Sequence, residues 1–410
     1  MRIGRNGVSS SVIAMAVFVV IVVVAAAAYV ALNPGTTVTK TVTQSTSSSS
    51  TTSTTSTTST TSTMTFYPET LQAGGSTFVN PIMQVWATSF KQYTNGAVQT
   101  NYQALGSSNG ITGILKSTYQ FAGSDAPVST SQSANYTAVK GPLLQIPETL
   151  GGVAIFYNIP GVSVNLNMTG QIIADIYIGN MTSWNDPRLQ ALNPHVTLPS
   201  STIVPVHRSD GSGTTYALTN YFSKVSKDWN ASFSNGVIST VGCPCFSTSI
   251  GWPTFEYGAK GSAGVAAYVQ QTPNSVGYAD SYYAFANNLK AAAVENQAGQ
   301  FLTPSIADIA AAANAYSAQV QANPTFSITN APGSGSYAIA TFTYLLVWQK
   351  QTDQHMGYDT AQFFMWIVSP TGGQAYGPSL YYPSLPASMV TVDQSIIKTI
   401  QYNGVPLISG

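Results

Sequence analysis

Charge is scarce in this chain. Only 7% of its 410 residues are Asp, Glu, Lys or Arg, against roughly a quarter in ordinary soluble domains. With Arg2, Arg5 and Lys40 set aside because they precede the folded stretch, 11 basic residues face 14 acidic ones. Nucleic acid is excluded as a partner, since gripping a phosphate backbone takes a face of many Lys and Arg side chains. A single small anion is not excluded, because one arginine and a ring of neutral donors can hold it. Cysteine is scarcer still: Cys243 and Cys245, in a Cys-Pro-Cys run, are the whole supply. A bridge across one residue would close a tiny strained loop, so no disulfide framework is expected. Joined to His195, His207 or His355, the pair shows no metal-ligand spacing, and no metal is expected either. What the chain does have is apolar material: 44% hydrophobic residues over this length supply the cores of two or three domains.

Residues 1–11 form a short basic segment. An uncharged apolar run from Val12 to Leu32 follows, and about 20 such residues cross a bilayer. It is too long for a cleaved secretory signal, whose apolar part is about 7 to 15 residues. Arg2 and Arg5 set the N-terminus inside and everything after Leu32 outside, so the expected location is the cell membrane, single-pass, with the globular part exterior. The Arg-Asn-Gly then Val-Ser-Ser arrangement at Arg5–Ser10 resembles the class III, type IV pilin-like signals of archaeal surface proteins. That resemblance implies processing after Gly7 with the helix kept as an anchor. Residues 33–65 are a linker in which Thr36–Thr65 is almost pure Thr and Ser; such a tract buries no core and reads as a stalk, O-glycosylated. Asn135, Asn167, Asn180 and Asn230 each head an Asn-x-Ser/Thr sequon, which fits a glycoprotein outside the cell.

From Phe66 onward strands alternate with amphipathic helices. LQAGGSTF reads as a strand ending in a small turn, PIMQVWATSFKQY as a helix with Ile82, Val85, Trp86 and Phe90 on one face, VQTNYQAL as a strand, and ITGILKS as a helix after the GSSNG turn. YQFAGSDAPV delivers Asp125 at a strand end, LLQIPETLGGVAIFYNI is a crossing strand, and TGQIIADIYIGN and SWNDPRLQALN are short helices. STIVPVHR runs into HRSDGSGTTYALTNYF, YGAKGSAGVAAYVQ repeats the strand-turn-helix pattern, and NSVGYADSYYAF reads as a second crossing strand. The expected class is α/β with mostly parallel sheets and ligands at the carboxyl ends of strands.

The His207–Phe222 stretch carries the chemistry. Gly211 and Gly213 allow a tight turn, and Ser212, Thr214 and Thr215 offer hydroxyls where the first helical N–H groups lack partners. Helix dipole and Arg208 together favour an anion there. The bland alternative, an ordinary Ser/Thr N-cap beside a surface arginine, explains one such turn. Three turns of the same design, at Thr77, Ser107 and Ser212, argue for a shared anion site.

The segments AGGSTFVNP, NYQALGSSNGITGILKSTYQFAGSDAPV, LLQIPETLGGVAIFYNIPG, DIYIGNMTSWNDPRLQALNP, VPVHRSDGSGTTYALTNYFSKVSKDW and GSAGVAAYVQQTPNSVGYAD, in this order, resemble the substrate-binding proteins of phosphate-specific (Pst) ABC transporters. The likeness runs from about Leu71 to the C-terminus and fades between about Ala284 and Pro332. It implies a two-lobed, hinged periplasmic-binding-protein fold of type II: 66–152 the first part of lobe 1, 153–285 lobe 2, and 286–410 the second part of lobe 1. Hinges are expected near Gly151–Ile159 and Gly277–Phe285. It also implies a phosphate ligand, no cofactor, a membrane ABC permease as partner, and no catalysis. Matched motif by motif, the ligand-binding residues are Thr77, Phe78, Ser107, Asp125, Arg208, Asp210, Ser212, Gly213 and Thr214. Asp125 would accept the proton phosphate still carries, and Asp210 would pair with the arginine. The chemistry agrees, since a carboxylate facing an anion makes sense only if that anion brings a hydrogen, which sulfate at neutral pH lacks.

The chain departs from the family pattern at His207, where bacterial members often carry a second basic residue, at Val79-Asn80, in the Cys-Pro-Cys segment and in the stalk. A hydrolase is the rival reading: Gly106–Gly110 reads G-x-S-x-G, which would make Ser108 a nucleophile with His355 and Asp353. Those two partners are only two residues apart, and no HGGG-type oxyanion segment is present. A structural cell-surface protein would explain the stalk and sequons but leave three anion turns idle.

Overall fold

The computed structural model describes residues 41–42, 60–61, 65–234, 236 and 245–408. The chain forms two units, Met1–Thr65 and Phe66–Gly410. In the first, Thr41–Val42 pairs antiparallel with Thr60–Thr61. The expected span at 12–32 and Gly7 lie outside the described residues, as does Cys243. Among the described residues no helix is long and apolar enough to cross a membrane.

The second unit is α/β. Strand β1 (Glu69–Gly75) leads into helix α1 (Asn80–Tyr93), which has proline in its first turn, where the missing N–H costs nothing. The helix buries Ile82, Met83, Trp86 and Phe90; Val85, expected on that face, is only half-buried. Strand β2 (Val98–Ala104), helix α2 (Ser107–Leu115) and strand β3 (Phe121–Ser124) follow. Helix α3 (Thr130–Lys140) was not expected from the sequence. It buries no side chain, so it shows no apolar stripe, and it is set locally by a reciprocal capping box between Ser129 and Gln132.

Strand β4 (Leu143–Asn158) is buried along most of its 16 residues, which accounts for its nearly continuous apolar sequence. Next come α4 (Gly170–Ile178), a short helix Pro187–Leu192, β5 (Val204–Arg208), α5 (Gly213–Val225), β6 (Tyr257–Ala259), α6 (Gly261–Gln271) and β7 (Ser275–Asp280). Strand β8 (Ala340–Trp348) comes late in the chain.

These strands form a nine-stranded sheet in the order β2-β1-β3-β8-β4-β7-β5-β6, with Lys290–Ala291 also paired to β4. Strand β4 is common to both halves: residues 143–152 pair with β8 and residues 153–158 with β7. The architecture is a two-lobed α/β binding-protein fold, with one half of the sheet in each lobe. The sheet is mixed, not mostly parallel as expected. β1 runs parallel to β2 and β3, and β5 parallel to β6 and β7, but β8 is antiparallel to both β3 and β4, and β7 to β4. Strand-helix-strand alternation governs only strands joined through a covering helix. β8 arrives from residues 323–339, which contain neither helix nor strand, and inserts reversed between β3 and β4.

The expected second crossing strand is also corrected. β7 stays within the second half, paired with 153–158 and with Val204–Val206, and the chain turns into helix Ser281–Ala286. Pairing with that half continues past residue 285: Lys290–Ala291 joins β4, and Ala293–Val294 joins Asn167–Met168. The chain returns to the first half of the sheet only at β8.

Candidate functional site

The parallel strands of the nine-stranded sheet all end at the same place. Ser76 and Thr77 follow β1, Ser107 follows β2, and Asp125 follows β3; from the second half, Arg208 closes β5, Gly261 follows β6, and Asp280 closes β7. Strand direction thus carries small hydroxylated turns of both halves to one point. Thr77, Phe78, Ser107, Asp125, Arg208, Ser212 and Thr214 are all buried there.

Contacts join the halves directly. Thr214 Oγ1 donates to Asp125 Oδ2 at 3.3 Å, the Ser108 amide donates to the Gly211 carbonyl at 3.1 Å, and Ser108 Oγ bonds Thr248 Oγ1 at 3.1 Å. Tyr283 Oη donates to the Thr77 carbonyl at 3.0 Å. Two glycines make this approach possible. A Cβ on Gly213 would sit 2.6 Å from Ser107 Oγ and 2.7 Å from Asp125 Cβ, and one on Gly106, whose φ is +95°, would meet Asp210 Oδ2 at 2.5 Å.

Arg208 is buried and aimed by its partners. Asp210 takes Nε and Nη2 in a bidentate pair at 2.8 and 2.5 Å, and the same carboxylate accepts the Gly261 amide at 2.8 Å. Burial alone would raise the Asp210 pKa, but the hydrogen bonds and charge of Arg208 hold it below the usual carboxylate range. Nη1 is left for hydroxyls, Thr214 Oγ1 at 3.4 Å and Ser262 Oγ at 3.3 Å.

Asp125 has the opposite balance. Burial lifts it to about 6, against the Ser76 hydrogen bond, the Arg208 charge and the Thr214 hydrogen bond. Its Oδ1 accepts from Ser76 Oγ, its Oδ2 from Thr214, and its own amide donates to Ser107 Oγ at 3.2 Å. Ser76 Oγ in turn accepts the Phe78 amide at 3.0 Å. Ser212 Oγ caps its own helix through the Thr215 amide at 3.1 Å.

All nine sequence-derived site residues therefore fall in one cluster, with Phe78 beside Thr77. Ser76, Ser262, Thr248, Tyr278 and Tyr283 belong to it as well and were not singled out. Tyr278 Oη accepts the Arg208 amide at 3.2 Å and shares a 2.6 Å bond with Thr215. Ser76 and Ser262 carried a signal, in the small turns of AGGSTF and AKGSAG; the tyrosines sit on strand or helix positions indistinguishable from core.

The hydrolase constellation does not assemble. Ser108 bonds Thr248, His355 stacks on Tyr67 at 3.7 Å, and Asp353 caps its own helix through the Met356 amide. His207 bonds Glu256 at 3.1 Å, and burial lowers its pKa to about 4, so it adds no positive charge near neutrality.

Three comparisons bear on this arrangement. A profile described as PBP superfamily domain matches residues 35–371. The phosphate-binding protein PstS of Xylella fastidiosa (strain Temecula1) is 35% identical over 321 residues, 78% of this chain and 82% of that protein. The protein of the same name from Methanocaldococcus jannaschii is 32% identical over 317 residues, 73% of this chain and 78% of that protein. In structure, a high-affinity periplasmic phosphate-binding protein solved with phosphate bound superposes with a TM-score of 0.61 at 21% identity, covering 82% of this chain and 99% of that one, a likeness of fold.

Proposed function

The chain belongs to the PBP superfamily and, within it, to the PstS phosphate-binding proteins, and on that premise we propose that it closes its two lobes over one phosphate ion and delivers it to an ABC permease. The family is one of transport receptors, not enzymes, and the ligand, not a cofactor, occupies its cleft. The observation that carries the reading is the pairing of one buried cation with one proton-accepting carboxyl between the lobes. Arg208, Thr77, Ser107, Ser212 and the Gly213 amide are the donors, joined by the Thr214 hydroxyl and the Phe78 amide, which exchange their bonds to Asp125 and Ser76 for the ligand on binding. Asp125 accepts the hydrogen of the phosphate, and Asp210 holds the guanidinium in plane. The Thr214–Asp125 bond supports this assignment, since it brings opposite lobes to one point.

Closure follows from binding both lobes at once. Ligand shifts the open-closed equilibrium by its differential affinity for the closed form. The flexing point we assign is Gly151–Gly152, where β4 changes partner from β8 to β7. Calorimetry with phosphate, arsenate and sulfate tests the reading: phosphate and arsenate should bind and sulfate should not. Equal binding of phosphate and sulfate, or none of phosphate, refutes it.

The anchored topology belongs to the same proposal. The apolar run 12–32 would tether the receptor, processed after Gly7 in the archaeal manner, with 33–65 as stalk. Of the four sequons, Asn135 and Asn180 are exposed, whereas the amide nitrogens of Asn167 and Asn230 donate to the Leu192 and Ser223 carbonyls. Glycans are therefore assigned to Asn135 and Asn180. Mass spectrometry of glycopeptides from the native host checks this.

A further inference from the structure

Ser262 lies at the start of α6, fully buried, where three elements meet. Its Oγ accepts a hydrogen bond from Arg208 Nη1 at 3.3 Å and stands 3.0 Å from Thr77 Oγ1; its amide donates to Thr77 Oγ1 at 3.2 Å. Arg208 and Ser262 come from the second half of the sheet and Thr77 from the first, so both contacts to Thr77 span the cleft.

Proton counting gives these contacts a direction. A hydroxyl has one proton and two lone pairs. An oxygen that accepts from a guanidinium is a stronger donor in turn, because chained hydrogen bonds polarise one another. Ser262 therefore sends its proton to Thr77 Oγ1, which already accepts the Ser262 amide. Both lone pairs of Thr77 are then filled, and its own proton is the only group it can offer. Thr77 becomes a donor and nothing else, the state that suits an anion.

We propose that Ser262 is a positioning residue that fixes the Thr77 hydroxyl as an obligate donor to the ligand and locks the lobes together across the face of Arg208. The inference rests on the phosphate reading of the site. It explains how a cleft with one cation gains a further directed donor without a further charge. The order runs from Arg208 to Ser262 to Thr77 to the anion.

A double-mutant cycle tests it on the full chain, with inorganic phosphate as probe. Ser262→Ala and Thr77→Val should each weaken phosphate binding roughly 10- to 150-fold, the range for a hydrogen bond tied to a charged group. In stopped-flow traces the loss should fall mainly on the dissociation rate, because the bonds form only on closure. The double variant should be about as weak as the weaker single, far from the product of the two losses. A Ser262→Ala protein that binds within twofold of wild type, or a cycle in which the losses multiply, overturns the inference while leaving the receptor reading intact. Wild-type protein that fails to bind phosphate overturns the receptor reading itself. Circular dichroism and thermal melts of each variant establish that it is folded, and Thr77→Val probes the same bonds from the opposite lobe.

Discussion

Raising the pH from 4.5 to 8 should destabilise this protein, the reverse of what salt-bridged carboxylates produce. Six carboxyl oxygens, on Glu148, Glu256, Asp280, Asp359 and Asp393, are buried without hydrogen-bond partners among the described residues. An isolated buried carboxylate is costly, and such groups stay protonated instead. Burial raises Glu148 from 4.5 to about 8, with Asp125 adding to the effect, and Asp359 from 3.8 to about 7, with Glu69 adding. The folded state thus binds protons that the unfolded state releases. Stability from these groups is complete below the unfolded pKa values and is lost as pH rises through the folded ones. Glu148 alone accounts for about 5 kcal/mol over the full window and Asp359 for about 4 kcal/mol, at ~1.4 kcal/mol per pKa unit.

His207 works the other way. Held neutral to about 4 by burial, it costs stability as pH falls from 6.5 to 4, about 3 kcal/mol in all. The carboxyl contribution exceeds this, and above pH 6.5 it is unopposed by His207. Thermal melts without phosphate should therefore show Tm highest near pH 4.5 to 5.5 and falling by roughly 10 °C toward pH 8. Glu148→Gln, which is neutral at every pH and can still accept from Thr343, should remove about half of that slope. A Tm that is level or rises between pH 6.5 and 8 refutes the reasoning.

Two site predictions stand beside it. Asp125→Asn should lower phosphate affinity by roughly 10- to 100-fold while sulfate binding appears, because the amide can donate to an oxyanion lacking hydrogen; unchanged selectivity by calorimetry removes Asp125 from its role. Gly213→Ala should weaken phosphate by on the order of a hundredfold, because its methyl would collide with Ser107 and Asp125 only when the lobes meet; small-angle scattering should show an open form with phosphate present, and a closed one would contradict the packing argument.

What the sequence made legible follows the local signals. Strand-turn-helix units with Gly, Ser and Thr at their junctions exposed β1 to β3, β5 and α5, and with them the nine residues singled out from the sequence. Helix α3 stayed hidden because it buries nothing, and its cap at Ser129 was the sole cue. The reversed insertion of β8 between β3 and β4 is a long-range choice that no window of sequence records. The pairing that continues past residue 285 was hidden for the same kind of reason: Lys290–Ala291 joins β4 through backbone pairing, and its two residues carry no period. Ser76 and Ser262 were within reach, since both sit in small turns of the type already recognised. Tyr278 and Tyr283 were not, because a buried tyrosine that bonds a site residue looks like one that fills a core.

The site's charge leads to a last prediction, on salt. Arg208 and Asp210 cancel, and Asp125 adds either nothing or a negative charge, so the cleft presents no net positive field to an approaching anion. The wider chain offers none either, with Lys and Arg numbering 14 against 14 acidic residues. Steering by long-range attraction is therefore absent, and affinity must come from short, directed hydrogen bonds formed after closure, inside a region where salt does not penetrate. Between about 10 mM and 500 mM NaCl, where the Debye length shrinks from ~30 Å to about 4 Å, the Kd for phosphate should change by less than roughly threefold, and the association rate should be equally flat. A basic patch would lose tenfold or more over that range. Such a loss here would mean that lysines outside the cleft draw the anion in, and the hydroxyl-and-amide account of binding would have to give way.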